Sequence, residues 1–138
     1  MKDLITTTKI IWTAIGACLG GLLGGMDGML YALIAFVTVD YMTGVIAAVY
    51  EKKLSSEIGY RGILKKFLIF VIVALANIID VHLIGNGSAI RTAIIFYFVY
   101  NEGISILENV SRTGLKVSPK LKEILEQLGG DKNDGDEV

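Results

Sequence analysis

The sequence predicts an all-α integral membrane protein. Four transmembrane helices form a single membrane domain over residues 1–110, a cytoplasmic amphipathic helix follows within 111–130, and 131–138 make a disordered acidic tail. Three observations predict it. Of 138 residues, 53% are hydrophobic and 20% charged, with 16 glycines; the mean hydropathy of +0.59 is too high for a soluble globule of this length. Four stretches approach the roughly 20 apolar residues that a helix needs to cross hydrocarbon, where every backbone amide must bond within its own segment. Lastly, the basic residues sort to one side of those stretches.

Composition also excludes classes of function. One cysteine makes no intrachain disulfide, and one histidine beside it supplies no zinc ligand set. A net charge of −1 and a pI near 5.8 give no global basic field for nucleic acid.

The first span, about 10–27, is free of charge from Ile10 to Met26. No polar mature sequence follows a small-residue site in it, so it is expected to be retained rather than cleaved. Gly16, Gly20, Gly24 and Gly28 recur every four residues, with Ala17, Gly21 and Gly25 on the adjacent row. Small residues in register let helix backbones approach closely, and in lipid that packing drives association. The face serves either intrachain packing on the second span or self-association between copies, and the chain is expected to be a homo-oligomer.

The second span, about 28–50, contains one acid, Asp40, on a small and polar stripe with Thr43, Gly44, Ala47, Ala48 and Glu51. Residues from Glu51 to Lys66 read as a loop or short interfacial helix, with Lys52, Lys53, Lys65 and Lys66 as anchors at phospholipid headgroups. The third span, about 66–85, carries Asn77 and Asp80 three residues apart. His82 is two residues from Asp80 and points elsewhere on a helix, so the two make no dyad. The fourth, about 91–110, bears a polar stripe of Asn101, Glu102, Ser105, Glu108, Asn109 and Arg112; its rival reading is a segment lying in the interface. Beyond it, Ser118 and Pro119 start a short helix whose apolar side is Leu121, Ile124, Leu125 and Leu128, ended by Gly129 and Gly130.

With four spans, eleven of twelve basic residues up to Lys122 lie on the side of both termini, Arg91 being the exception. Lys and Arg flanking spans stay cytoplasmic, which sets the orientation. A charged side chain at the bilayer centre costs roughly 2.5 to 3.5 kcal/mol on insertion scales. Acids on three spans therefore face one another, a partner or water: either neutral carboxyls seal a bundle, or the stripes Asp40, Thr43, Asn77, Asp80, Asn101, Glu102, Ser105 and Glu108 line a lumen upon oligomerisation. No serine nucleophile, phosphate loop or metal-ligand motif accompanies them, so neither catalysis nor a cofactor or metal is expected.

The order Val39-Asp40-Tyr41-Met42-Thr43-Gly44, Ala47-Ala48, Lys52-Lys53-Leu54-Ser55-Ser56, Gly62-Ile63-Leu64-Lys65-Lys66, Asp80, and Asn101-Glu102-Gly103-Ile104-Ser105-Ile106-Leu107-Glu108-Asn109 resembles the toxin secretion/phage lysis holin family across about residues 25–128. The chain departs from that family at Gly114-Leu115-Lys116-Val117-Ser118-Pro119, where a Gly-apolar-Pro-apolar-Pro run is usual. The resemblance implies a small phage or prophage protein of the bacterial cytoplasmic membrane that oligomerises and at a set time opens lesions. Endolysin or a toxin then leaves through them without any required direct binding. A small four-helix transporter or ion channel, whose acids bind protons or cations, is the main alternative, and a membrane adaptor the third.

Overall fold

A computed structural model describes residues 1–128, so the expected helix stop at Gly129 and Gly130 and the acidic tail lie outside the described residues. The chain forms α1 (Lys2–Leu22), α2 (Gly28–Tyr50), α3 (Ser56–Ile78, continued by a π-helical segment over Ile79–Ile84), α4 (Ala89–Arg112) and α5 (Pro119–Leu128). α1, α2, Ser56–Ile84 and α4 are each long and apolar enough to cross a membrane.

Two spans differ in extent from what the sequence predicts. α1 begins at Lys2 rather than near Ile10, because Thr6, Thr7 and Thr8 fold their hydroxyls onto the carbonyls of Lys2, Asp3 and Leu4 and do not break the helix. It ends at Leu22, since Gly24 (φ 83°) and Gly25 (φ 92°) turn left-handed, a conformation that glycine adopts without a Cβ penalty. The glycine ladder is therefore not one helical face. Gly16, Gly20 and Gly21 lie on α1, whereas Gly24 and Gly25 belong to the turn and Gly28 opens α2. α3 begins at Ser56, ten residues before the expected start of the span, so Lys65 and Lys66 sit within it. Ser55 caps it by accepting a hydrogen bond from the Ile58 N–H at 3.2 Å.

α2, α3 and α4 pack as a bundle whose seams repeat every three and four residues, the pattern of left-handed helix packing. Its apolar layer comprises Leu30, Leu33 and Val37 of α2, Ile69 and Val73 of α3, and Ile95 of α4, all buried. Helices already in lipid gain little from leaving water, so close packing holds this layer together. Gly44 meets Asn109 at 3.4 Å from its Cβ position, and Gly62 meets the Tyr41 ring at 3.3 Å. The fourth segment is a packed bundle helix rather than a surface one: Arg91, Ile95, Glu102, Gly103 and Asn109 are all buried. α1 stands apart. None of its residues is buried, and among the described helices it touches α3 alone.

Candidate functional site

Polar side chains interrupt the apolar seams at two levels. The first lies beyond Val37, where α2, α3 and α4 each contribute one charge. Lys66 donates to the carboxylates of both Asp40 and Glu102. Both acids have side chains only 8% exposed. Asn109 donates from its amide to the Asp40 carboxylate at 3.0 Å and to the Thr43 hydroxyl at 3.2 Å. Arg112 donates to the side-chain Oδ1 of Asn109 at 3.3 Å and grips Glu51 at 3.0 and 2.8 Å. The Arg112 hydrogen bond draws the Glu51 carboxyl below its usual range against a smaller desolvation penalty. A cleft of about 360 Å³ opens here, with Asp40, Gly44, Lys66, Ser105 and Asn109 in its wall.

This arrangement corrects one expectation. Lys66 does not stand at headgroups with the exposed Lys52, Lys53 and Lys65; it turns inward because two buried carboxylates would otherwise have no counter-charge. Two acids share one ammonium, so the layer keeps one carboxylate in formal excess.

The second level lies at the other end of the bundle. Arg91 is 3% exposed, and its guanidinium donates to both Asp27 oxygens, at 2.7 and 3.3 Å, to the Gly25 carbonyl at 3.1 Å and to the Leu23 carbonyl. Planar, forked donors suit such a task better than an ammonium. Asp80, 1% exposed, accepts from the backbone N–H groups of Ile90 and Arg91 at 3.1 and 2.8 Å, satisfying donors at the start of α4. The π-helical turn brings Asp80 there, closed by the Gly85 N–H donating to the Asp80 carbonyl at 2.9 Å. Asn77 donates to the Leu22 carbonyl at 3.1 Å. Asp27 also caps α2 by accepting from the Leu30 N–H at 2.8 Å. The Arg91 hydrogen bond first, and that N–H second, hold the Asp27 carboxyl below the usual aspartate range. A Cβ on Gly24 would stand 2.5 Å from Asn77 Oδ1 and 2.6 Å from Arg91 Nε. Glycine there admits the guanidinium to the turn.

Five of the eight polar residues singled out in the sequence thus bond within the chain: Asp40, Thr43 and Glu102 in one layer, Asn77 and Asp80 in the other. Asn101 and Ser105 are half-buried and Glu108 is exposed. On the glycine face, Gly16, Gly20 and Gly21 have nothing within 4 Å of their Cβ positions. That face does not pack on α2.

Sequence reasoning gave Lys66 the role of a headgroup anchor at the start of the third span and Arg91 that of the one exception to the sorting of basic residues, and it missed that these two cations organise the polar layers. A signal for Lys66 was present. Gly62, Lys66, Ile69, Val73, Ala76 and Asp80 follow a three-and-four spacing that extends the buried seam of α3 back through the basic run.

The sequence of an uncharacterized 14.9 kDa protein in the nagH 3' region of Clostridium perfringens is 40% identical over 96% of this chain and 100% of its own length. An uncharacterized protein of Listeria innocua is 41% identical over 94% of this chain and 90% of its own. A probable holin of Bacillus phage phi105 is 36% identical over 67% of this chain and 68% of its own. No solved structure matches. The profile of the bacteriophage holin family matches residues 17–130, taking in all three bundle helices and the glycines that follow Ala17 on α1; the chain belongs to that family.

Proposed function

We propose that this chain acts as a holin in a bacterial cytoplasmic membrane. Copies associate through α1 and at a set time open lesions through which endolysin, or a toxin, escapes to complete lysis. The family permeabilises membranes and is not enzymatic, so the function needs association in lipid and a wettable surface. The observation that carries the reading is α1: a span with no buried residue and with Gly16, Gly20 and Gly21 open. In lipid such a face gains packing only from another helix, and a second copy supplies one of matching shape. The sorting of basic residues supports a cytoplasmic position for both termini.

Induced expression tests this. Growth and membrane potential should collapse abruptly, and a co-expressed cytoplasmic endolysin should be released. Gly20→Leu should weaken crosslinked oligomers and delay lysis while leaving insertion intact. Cells that hold their potential and retain the enzyme, while purified protein carries a specific ion, would establish a transporter built on the two acids around Lys66 instead.

A further inference from the structure

The contacts between helices set the charged end of the bundle against the bilayer. On α3, Phe67–Ile84 expose no Lys, Arg, Asp or Glu and run roughly 26 Å at about 1.5 Å per residue, close to the hydrocarbon thickness of about 30 Å. Asn77 of α3 is level with Leu22 of α1, to whose carbonyl it donates. Lys65 and Lys9 lie roughly 18 and 20 Å back from that contact along their helices, and both are exposed. The hydrocarbon boundary therefore passes by Lys9 and Lys65, and the first turns of α3 stand among headgroups.

The cleft beside the Lys66 layer opens on the headgroup side of that boundary. It runs between α2 and α3 from Asp40 and Lys66 to Lys53 and Ile58. Gly44 and Ala48 line it from α2, Gly59 and Gly62 from α3; with so little side chain on either wall the helices leave a gap. Charge divides between its floor and its mouth. At the floor Lys66 serves two carboxylates. At the mouth stand Lys53, Lys65 and Arg112, and Arg112 is occupied by Glu51. Among the described residues Lys53 and Lys65 enter no ion pair. Two unanswered cations on opposite walls of a cleft at headgroup depth suit a phosphate anion. From Lys65, exposed Leu68 and Ile72 follow at three and seven residues on the same side of α3. They carry the wall into hydrocarbon, a path that fits an acyl chain and offers nothing to an anion arriving from water.

We propose that this cleft is a binding site for one anionic phospholipid. Its phosphate sits between Lys53 and Lys65, its head enters the cleft toward the Ser105 hydroxyl, and an acyl chain follows Leu68 and Ile72 into the leaflet. A lysine on an open surface attracts anionic lipid in general, whereas cations on two walls hold one molecule and tie the end of α2 to α3. A zwitterionic head brings its own ammonium to the mouth and is disfavoured there. The inference goes beyond lysis and requires only that the bundle stand in a membrane.

Native mass spectrometry of the full chain, released from detergent holding equal amounts of phosphatidylglycerol and phosphatidylcholine, counts the lipid that stays bound. A single phosphatidylglycerol per chain should be retained, roughly 20-fold over phosphatidylcholine, since each lysine beside an anionic headgroup contributes about fivefold. Lys53→Gln with Lys65→Gln should bring that ratio near parity and abolish the rise in unfolding temperature that phosphatidylglycerol gives the parent. Lys2→Gln with Lys9→Gln removes as much charge from exposed positions of α1 and should leave both readouts unchanged. An equal fall in the two pairs, or equal retention of the two lipids by the parent, would overturn the site. Inorganic phosphate stabilising the parent as well as phosphatidylglycerol does would overturn the lipid and leave a free anion in its place. Retention appearing only when Asp131→Asn, Asp134→Asn, Asp136→Asn and Glu137→Gln are combined would overturn it in favour of the chain's own acidic end as the occupant.

Discussion

α1 and the α2–α4 bundle are both built from helices of spanning length, yet they solve the membrane differently. The bundle takes charge inside and answers it there: Lys66 holds Asp40 and Glu102, Arg91 holds Asp27, and Asp80 receives the first N–H groups of α4. Among the described residues no buried side-chain nitrogen or oxygen lacks a hydrogen-bond partner. α1 carries no charge from Ile10 to its end and leaves its small residues unmatched. The difference separates a self-sufficient fold from an element whose packing is incomplete within one chain. It also predicts that substitutions in the bundle act on folding and substitutions on α1 act on assembly.

The largest effect should come from the ionic layer. Lys66→Met leaves two buried carboxylates without their cation, a loss of about 3–5 kcal/mol where one partner of a buried pair is removed. Resistance to unfolding in mixed detergent and the amount of protein in membranes should both fall. Lys66→Met combined with Asp40→Asn and Glu102→Gln removes all three charges and should recover most of the loss. If the single variant is as stable as the triple, the layer does not hold the bundle.

That layer also shows what was legible beforehand. The four spans could be read because hydrocarbon forces the backbone to bond within each segment, which writes itself as long apolar runs. The acids could be read because each interrupts such a run. Their partners could not. Lys66 follows Lys65 and precedes an apolar run, so it looked like a flank, although the helix had begun ten residues earlier at Ser56. Arg91 stood beside a loop and looked like the exception to a sorting rule. The Gly24 ladder looked continuous because spacing alone does not reveal a left-handed φ. Pairings between helices depend on the register of one against another, and a single sequence records each helix separately.

The joint between the two regions should give the next effect. Arg91→Gln loses the forked contact with Asp27 and leaves the Leu23 and Gly25 carbonyls short of donors. Hydrogen bonds to charged groups contribute about 1.5–3 kcal/mol. Because Arg91 ties the turn between α1 and α2 to the bundle, protease nicking between Leu22 and Gly28 should increase, while the Lys66 layer and the thermal unfolding of α2–α4 change little. Global unfolding in step with nicking would mean that α1 is part of the bundle's cooperative unit.

A paired glycine test sharpens the comparison further. Gly24→Ala puts a Cβ into the guanidinium at a φ of 83° and should cost about 1–3 kcal/mol, as strained backbone positions do. Gly20→Ala meets open space on a helix, where alanine is favoured by about 1 kcal/mol. Its monomer should be as stable as the parent or more so, and any loss should show only in crosslinked oligomers. Equal destabilisation by both would place Gly20 inside an intrachain contact.

The smallest effect concerns pH at the joint. The Asp27 carboxyl is held below its ordinary value near 3.8 by Arg91 and the Leu30 N–H. A carboxyl lowered in the folded state contributes stability that is fully present above its unfolded value and is lost as pH falls through the folded one. The side chain is 46% exposed, so water screens the pair and limits its contribution to about 1 kcal/mol or less. Between pH 7 and pH 5 the joint should hold unchanged, and separation of α1 from the bundle, followed by energy transfer between probes on the two, should begin only below about pH 3.8. Asp27→Asn should abolish that acid step and leave the joint slightly looser at neutral pH. A loosening already complete near pH 6 would show that another group governs the attachment of α1, and that Arg91 holds the turn through its carbonyl contacts alone.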